Sequence, residues 1–79
     1  MDEAHQESPA GSWDAGDLGC GELVFDLMMK LRALRPGQTF RLTTTDLGAP
    51  IDIPAWCRLT GNALVRADPP HYLIRRKES

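Results

Sequence analysis

An amphipathic stretch at residues 21–35, flanked on both sides by short extended candidates, restricts the fold of this chain more than any other feature. Val24, Leu27, Met28, Leu31 and Leu34 recur at helical spacing, and Phe25 and Met29 widen the stripe. Glu22, Asp26 and Lys30 fall on the opposite side, with Asp26 four residues ahead of Lys30 in the favourable order. Acids early and Lys30, Arg32 and Arg35 late complement the helix dipole, and Pro36-Gly37 ends the helix. One apolar stripe has to be buried against a second layer. Residues 12–18 supply part of it: Trp13 and Ala15 share one side under period two, Asp14 takes the other, and Gly16 marks a bulge or bend. Residues 39–45 supply the rest, with Phe40, Leu42 and Thr44 facing one way and Thr39, Arg41, Thr43 and Thr45 the other. A strand–helix–strand unit with so long a crossover favours parallel pairing and a right-handed connection.

The second half repeats the logic. Residues 46–51 read as a loop broken by Gly48 and Pro50. Asp52 is the expected N-cap of a second helix, with Pro54 in its first turn, and Ile53, Trp56, Cys57 and Thr60 form its apolar side before Gly61-Asn62 closes it. Residues 63–67 and 71–77 read as strands joined by Asp68-Pro69-Pro70 into an antiparallel hairpin, with Tyr72 and Ile74 facing the core. Trp13, Trp56 and Met28-Met29 are read as packing, and His71 as solvated with no partner. The expected fold is α/β (α+β): a two-layer sandwich of order β-α-β-α-β-β, with a mixed four-stranded sheet and two helices on one face.

Size and charge narrow the functional classes. At 79 residues the chain holds one domain, expected over 12–79 behind a polar, disordered tail at 1–11. No apolar run is long enough to span a bilayer, and Met1-Asp2-Glu3-Ala4-His5 carries acids where a secretory signal carries Lys or Arg, so a cytoplasmic protein is expected. A net charge of −2 argues against direct nucleic-acid binding, although Arg41, Arg66, Arg75, Arg76 and Lys77 can be drawn together as a basic patch. Few aromatics suit base stacking. Two cysteines without a CxxC spacing or a nearby His pair make a poor zinc site, so neither metal nor cofactor is expected.

Cys20 is the residue with chemistry to offer. It stands in Asp17-Leu18-Gly19-Cys20-Gly21-Glu22-Leu23, where the first strand stops and the helix starts. The amides opening a helix lack intrahelical partners, and the dipole adds partial positive charge there. A thiol so placed ionises more readily, and the thiolate is the nucleophile. Gly19, Gly21 and Glu22 form its setting. Gly21 keeps an N–H that can turn to sulfur, whereas Glu22 and Asp17 oppose a further negative charge. Cys57 lies on the packed side of the second helix and is expected to be inert; a Cys20–Cys57 redox pair needs Cα atoms within roughly 7 Å.

Trp13-Asp14-Ala15-Gly16-Asp17-Leu18-Gly19-Cys20, the amphipathic helix, Leu34-Arg35-Pro36-Gly37, Asp52-Ile53-Pro54-Ala55-Trp56-Cys57 and Tyr72-Leu73-Ile74-Arg75 occur in the order and spacing of the TusA/SirA-like sulfur carriers, which this chain resembles from Trp13 to Lys77. The resemblance implies a β-α-β-α-β-β sandwich like the C-terminal domain of translation initiation factor three. It also implies a carrier-type sulfurtransferase in which Cys20 holds sulfane sulfur as a persulfide. The protein partners implied are a donor, either a cysteine desulfurase or a rhodanese, and an acceptor. The routes implied are tRNA thiolation, molybdenum cofactor assembly or sulfur oxidation. The family motif is Cys-Pro-x-Pro; here it reads Cys20-Gly21-Glu22-Leu23, without either proline, and Gly19 stands where many members have arginine. The alternative is a non-catalytic interaction or regulatory module on the same scaffold.

Overall fold

The structure, a computed structural model, describes residues 9–78. The first strand, β1 (Gly11–Gly16), places Trp13 and Ala15 against the core and leaves Asp14 exposed. The expected bend falls at Gly16, where φ is +60° and the pairing register shifts after Asp14; a side chain there would strain the backbone. Gly11 already pairs with Phe40, and Ala10 N–H donates to Thr39 O at 2.7 Å, so ordered pairing reaches into the segment expected to be a tail. Residues 1–8 of that segment lie outside the described residues.

Helix α1 (Cys20–Arg32) buries Leu23, Leu27 and Leu31, one residue per turn along a single line. Val24 and Leu34 pack along its margin. Phe25 and Met29 do not widen the stripe: they are 60% and 50% exposed. At 3.6 residues per turn each lies about 160° round the helix from Leu27, beyond the reach of one covered face. The helix also stops earlier than expected, with Ala33 as its C-cap. Ala33 and Leu34 N–H groups donate to the carbonyls three residues back, at 3.2 and 3.0 Å. Arg35 precedes a proline and is disfavoured in helical geometry, so the chain leaves the helix before Pro36 rather than at it. Arg76 Nη1 donates to Leu34 O at 2.9 Å and pins this exit.

Strand β2 (Thr39–Thr44) alternates as expected, with Phe40, Leu42 and Thr44 buried. Helix α2 (Ala49–Thr60) starts ahead of the expected Asp52 cap. Its N-cap is Gly48, Asp52 sits in the first turn, Pro50 occupies an opening position and Pro54 lies inside the helix. The earlier start follows from packing: Ala49, Ile53 and Cys57 form a buried i, i+4, i+8 line that mirrors Leu23, Leu27 and Leu31. Gly61 closes α2 with φ +84° and donates to Cys57 O at 2.9 Å, the left-handed cap expected there.

Strands β3 (Ala63–Asp68) and β4 (His71–Arg75) form the antiparallel hairpin. β4 ends two residues short of the expected Lys77, whose N–H turns to the Asn62 side chain at 2.8 Å. The sheet order is β1-β2-β4-β3, with β1 parallel to β2 and β4 antiparallel to both neighbours. Tyr72 and Ile74 meet Phe40, Leu42 and the two helix lines in one core. The fold is therefore the expected two-layer α+β sandwich. The opposite sheet face, with Arg41, His71 and Arg75, is exposed.

Candidate functional site at the opening of helix α1

Parallel pairing of β1 and β2 brings the starts of α1 and α2 to the same end of the sheet, beyond the carboxyl ends of those strands. The turn into α1 is held firmly. Gly16 O accepts from Thr45 N–H at 2.8 Å and from Thr44 Oγ1 at 3.2 Å. Thr44 Oγ1 in turn accepts from Asp46 N–H at 3.1 Å, and Thr44 is only 2% exposed. A buried hydroxyl thus ties the end of β1 to the loop that leads into α2. Gly16 N–H to Asp14 Oδ1 (3.0 Å) and Leu18 N–H to Ala15 O (3.2 Å) shape the connection.

Gly19 is the N-cap, extended at φ −65° and ψ 151°, with no side-chain capping bond, and Cys20 is the first helical residue. Leu23 N–H donates to Gly19 O at 2.9 Å, the first bond of the helix ladder. The amides of residues 20–22 are those a helix start leaves without an intrahelical carbonyl. An anion at this end is favoured by them and by the dipole. A Cβ built at Gly19 or Gly21 would meet nothing within 4 Å, so the surroundings of the helix mouth are open. Glu22 is an exposed acid of the first turn.

Leu23 is the residue the sequence reading undervalued. It stands at the second proline position of the Cys-Pro-x-Pro pattern, yet it is fully buried and its N–H closes the first turn. A proline has no N–H with which to close that turn. Counting back one turn from Leu27 would have found it.

The other candidates separate. Cys57 is a free, buried thiol, and desolvation pushes its pKa up to about 11, which leaves it protonated and unreactive at neutral pH. His71, expected to lack a partner, has its Nδ1 3.1 Å from Thr43 Oγ1 across the β2–β4 pairing. Trp13 is covered by Lys30, whose Nζ lies 4.8 Å from the ring centroid, a contact that shields an edge-strand aromatic. The five cations grouped in the sequence divide: Arg41, Arg66 and Arg75 line a groove on the open sheet face, whereas Arg76 and Lys77 line one beside Met28 and Trp56. Among the described residues no three His, Cys, Asp or Glu side chains gather as a metal site, and no helix is long and apolar enough to cross a membrane.

Comparison with known families agrees with this architecture. The family model described as Sulfurtransferase TusA matches residues 13–76 of the 79, from Trp13 in β1 to the residue after β4. A match over most of the chain, carrying the fold and the cysteine-headed helix together, places the chain in the TusA sulfurtransferase family.

Proposed function

We propose that Cys20 is the sulfur-carrying residue and that the protein relays sulfane sulfur between a donor protein and an acceptor protein. The observation that carries this reading is the position of Cys20 as the first residue of α1 within the matched span. The Cys20 thiolate attacks the outer sulfur of a donor persulfide. A new S–S bond forms on Cys20, the donor S–S bond breaks, and the donor sulfur leaves with the electron pair as a thiolate. An acceptor thiolate then attacks the same outer sulfur and Cys20 leaves in turn. Each exchange is redox-neutral and needs neither a triad nor a metal. The unpaired amides and the dipole favour the anionic forms of both the thiol and the persulfide. A cysteine desulfurase or a rhodanese fits the donor role, and a cytoplasmic setting with reduced thiols fits the chemistry.

The test is to incubate the protein with a cysteine desulfurase and cysteine and to weigh it intact. A gain of one sulfur atom is expected in the wild type and in Cys57→Ser, and none in Cys20→Ser. Equal gain by Cys20→Ser, or no gain from several donors, would remove the carrier reading and leave an interaction module on the family scaffold.

A further inference from the structure

The face of the sheet that no helix covers carries an organised set of charges. Leu73, on β4, sits between Arg41 of β2 and Arg66 of β3, each its direct cross-strand partner. Arg75 lies two residues along β4 on the same face. A bulge sharpens the arrangement. The β3–β4 register shifts between Leu64 and Arg66, so that Leu64 stays packed on the core side while Val65 is 43% exposed and Arg66 is exposed beside it. Bulges re-aim side chains in this way. The result is a groove of about 510 Å³ whose lining includes Leu73, Val65 and, from the segment ahead of β1, Pro9, with three guanidinium groups around them. Asp68 is the one carboxylate in the lining, and no ion pair joins it to these arginines among the described residues.

We propose that this open face docks an extended, acidic segment of a partner protein, with carboxylates on Arg41, Arg66 and Arg75 and an apolar side chain over Leu73 and Val65. Backbones on either side of a central strand are about 10 Å apart, and alternate residues of one strand about 7 Å apart. Guanidinium groups spread over three strands in this way can each take a separate carboxylate of an extended peptide that carries acids at alternate positions. Arginine suits the partner, because its planar fork takes a carboxylate through two parallel bonds. A polynucleotide fits less well. Among the described residues Trp13, Phe40, Trp56 and Tyr72 all pack into or against the core and Phe25 belongs to α1, so the face offers a base only the His71 imidazole, 3.1 Å from Thr43 Oγ1, and no row of aromatic platforms. The surface does not involve Cys20, so it stands or falls apart from the sulfur reading.

The test is a fluorescence-anisotropy titration of the full chain with a labelled Glu-Leu-Glu-Leu-Glu peptide at low salt. Saturable binding is expected, weakening as salt rises. Arg41→Gln with Arg66→Gln and Arg75→Gln should weaken it at least about tenfold, and Arg41→Gln alone about threefold. All three arginines are exposed, and an unchanged thermal transition would show that the triple variant is folded. Cys20→Ser should bind as the wild type does. Equal binding of a Gln-Leu-Gln-Leu-Gln peptide, no loss in the folded triple variant, or tighter binding of a single-stranded RNA of equal charge would overturn the proposal. So would a tenfold gain in peptide affinity when Asp2, Glu3 and Glu7 are neutralised, which would assign the face to the chain's own N-terminal acids.

Discussion

The two helices begin side by side at one end of the sheet, and their openings differ. Both have a glycine N-cap with no side-chain capping bond. At α2 the opening is filled by carboxylates: Asp46 Oδ2 accepts Gly48 N–H at 3.1 Å, and Asp52 Oδ2 lies 3.0 Å from where a Gly48 Cβ would stand. At α1 neither Gly19 nor Gly21 has anything within 4 Å of such an atom. At α2 the opening amides are already engaged, Gly48 N–H by the Asp46 carboxylate, Ala49 N–H by Asp46 O and Ile51 N–H by Gly48 O, with Pro50 carrying none, whereas at α1 the positive end of the dipole faces open space beside Gly19 and Gly21. The residue heading the open one is a cysteine. Cys57, in the body of the closed helix, is buried and inert.

The largest effect that can break this contrast is thiol reactivity. With its pKa near 11, Cys57 has roughly one part in ten thousand as thiolate at pH 7, and burial slows it further. Native protein treated with iodoacetamide at pH 7 should therefore be alkylated at Cys20 and spared at Cys57, with rates at least a thousandfold apart by peptide mapping. Labelling of Cys57 should rise about tenfold per pH unit up to the raised pKa. Comparable rates at pH 7 would mean that burial does not silence Cys57 and that the opening of α1 does not single out Cys20.

The next effect is on stability and concerns Leu23. Leu23→Ala deletes a fully buried side chain and should cost about 3 kcal/mol, read as a lower denaturation midpoint at unchanged slope. Leu23→Pro restores the family's second proline but also removes the N–H that reaches Gly19 O, so it should cost more than Leu23→Ala. If the proline variant proved the more stable, the opening of α1 would not depend on that bond, and the departure from the family motif would lack its structural reason.

Periodicity made most of this fold legible. Alternation identified the inward set Phe40, Leu42 and Thr44 and the pair Tyr72 and Ile74, and the Pro-Pro corner between the last strands located the hairpin. The departures share a cause. Hydrophobicity alone puts Phe25 and Met29 in the stripe, whereas angular position on the helix leaves them in solvent. Capping propensity favours Asp52, whereas burial of Ala49 draws the helix start back to Gly48. In both places tertiary packing overrode a local preference. Of the candidate site, the cysteine at the helix opening was legible from the glycines around it. The pin through Thr44 was not, because a buried threonine reads from sequence as one more alternating strand residue. The separation of Arg76 from Arg75 was equally hidden, since it depends on where β4 ends and on a carbonyl far away in the chain.

The smallest effect tests the contrast between the helix openings most directly. Gly21 lies inside α1 with free space around it, so Gly21→Ala should stabilise the protein by about 0.5 kcal/mol through the lower conformational entropy of the unfolded chain and better helix propensity. Gly48 has an ordinary backbone geometry of φ −83° and ψ −12°, so alanine is not strained there by its torsions. Its Cβ would instead come within 3.2 Å of Asp46 Oδ2 as well as 3.0 Å of Asp52 Oδ2. Both carboxylates would have to give by a few tenths of an ångström, which strains the bond Asp46 accepts from Gly48 N–H, at an expected cost of up to about 1 kcal/mol. The same substitution should therefore change thermal stability with opposite sign at the two openings. Gly21→Ala also keeps its amide, so alkylation of Cys20 should stay within about twofold of the wild-type rate. Gains of equal size at both positions would show that the carboxylates at α2 yield freely and that its amides are no more committed than those beside Cys20.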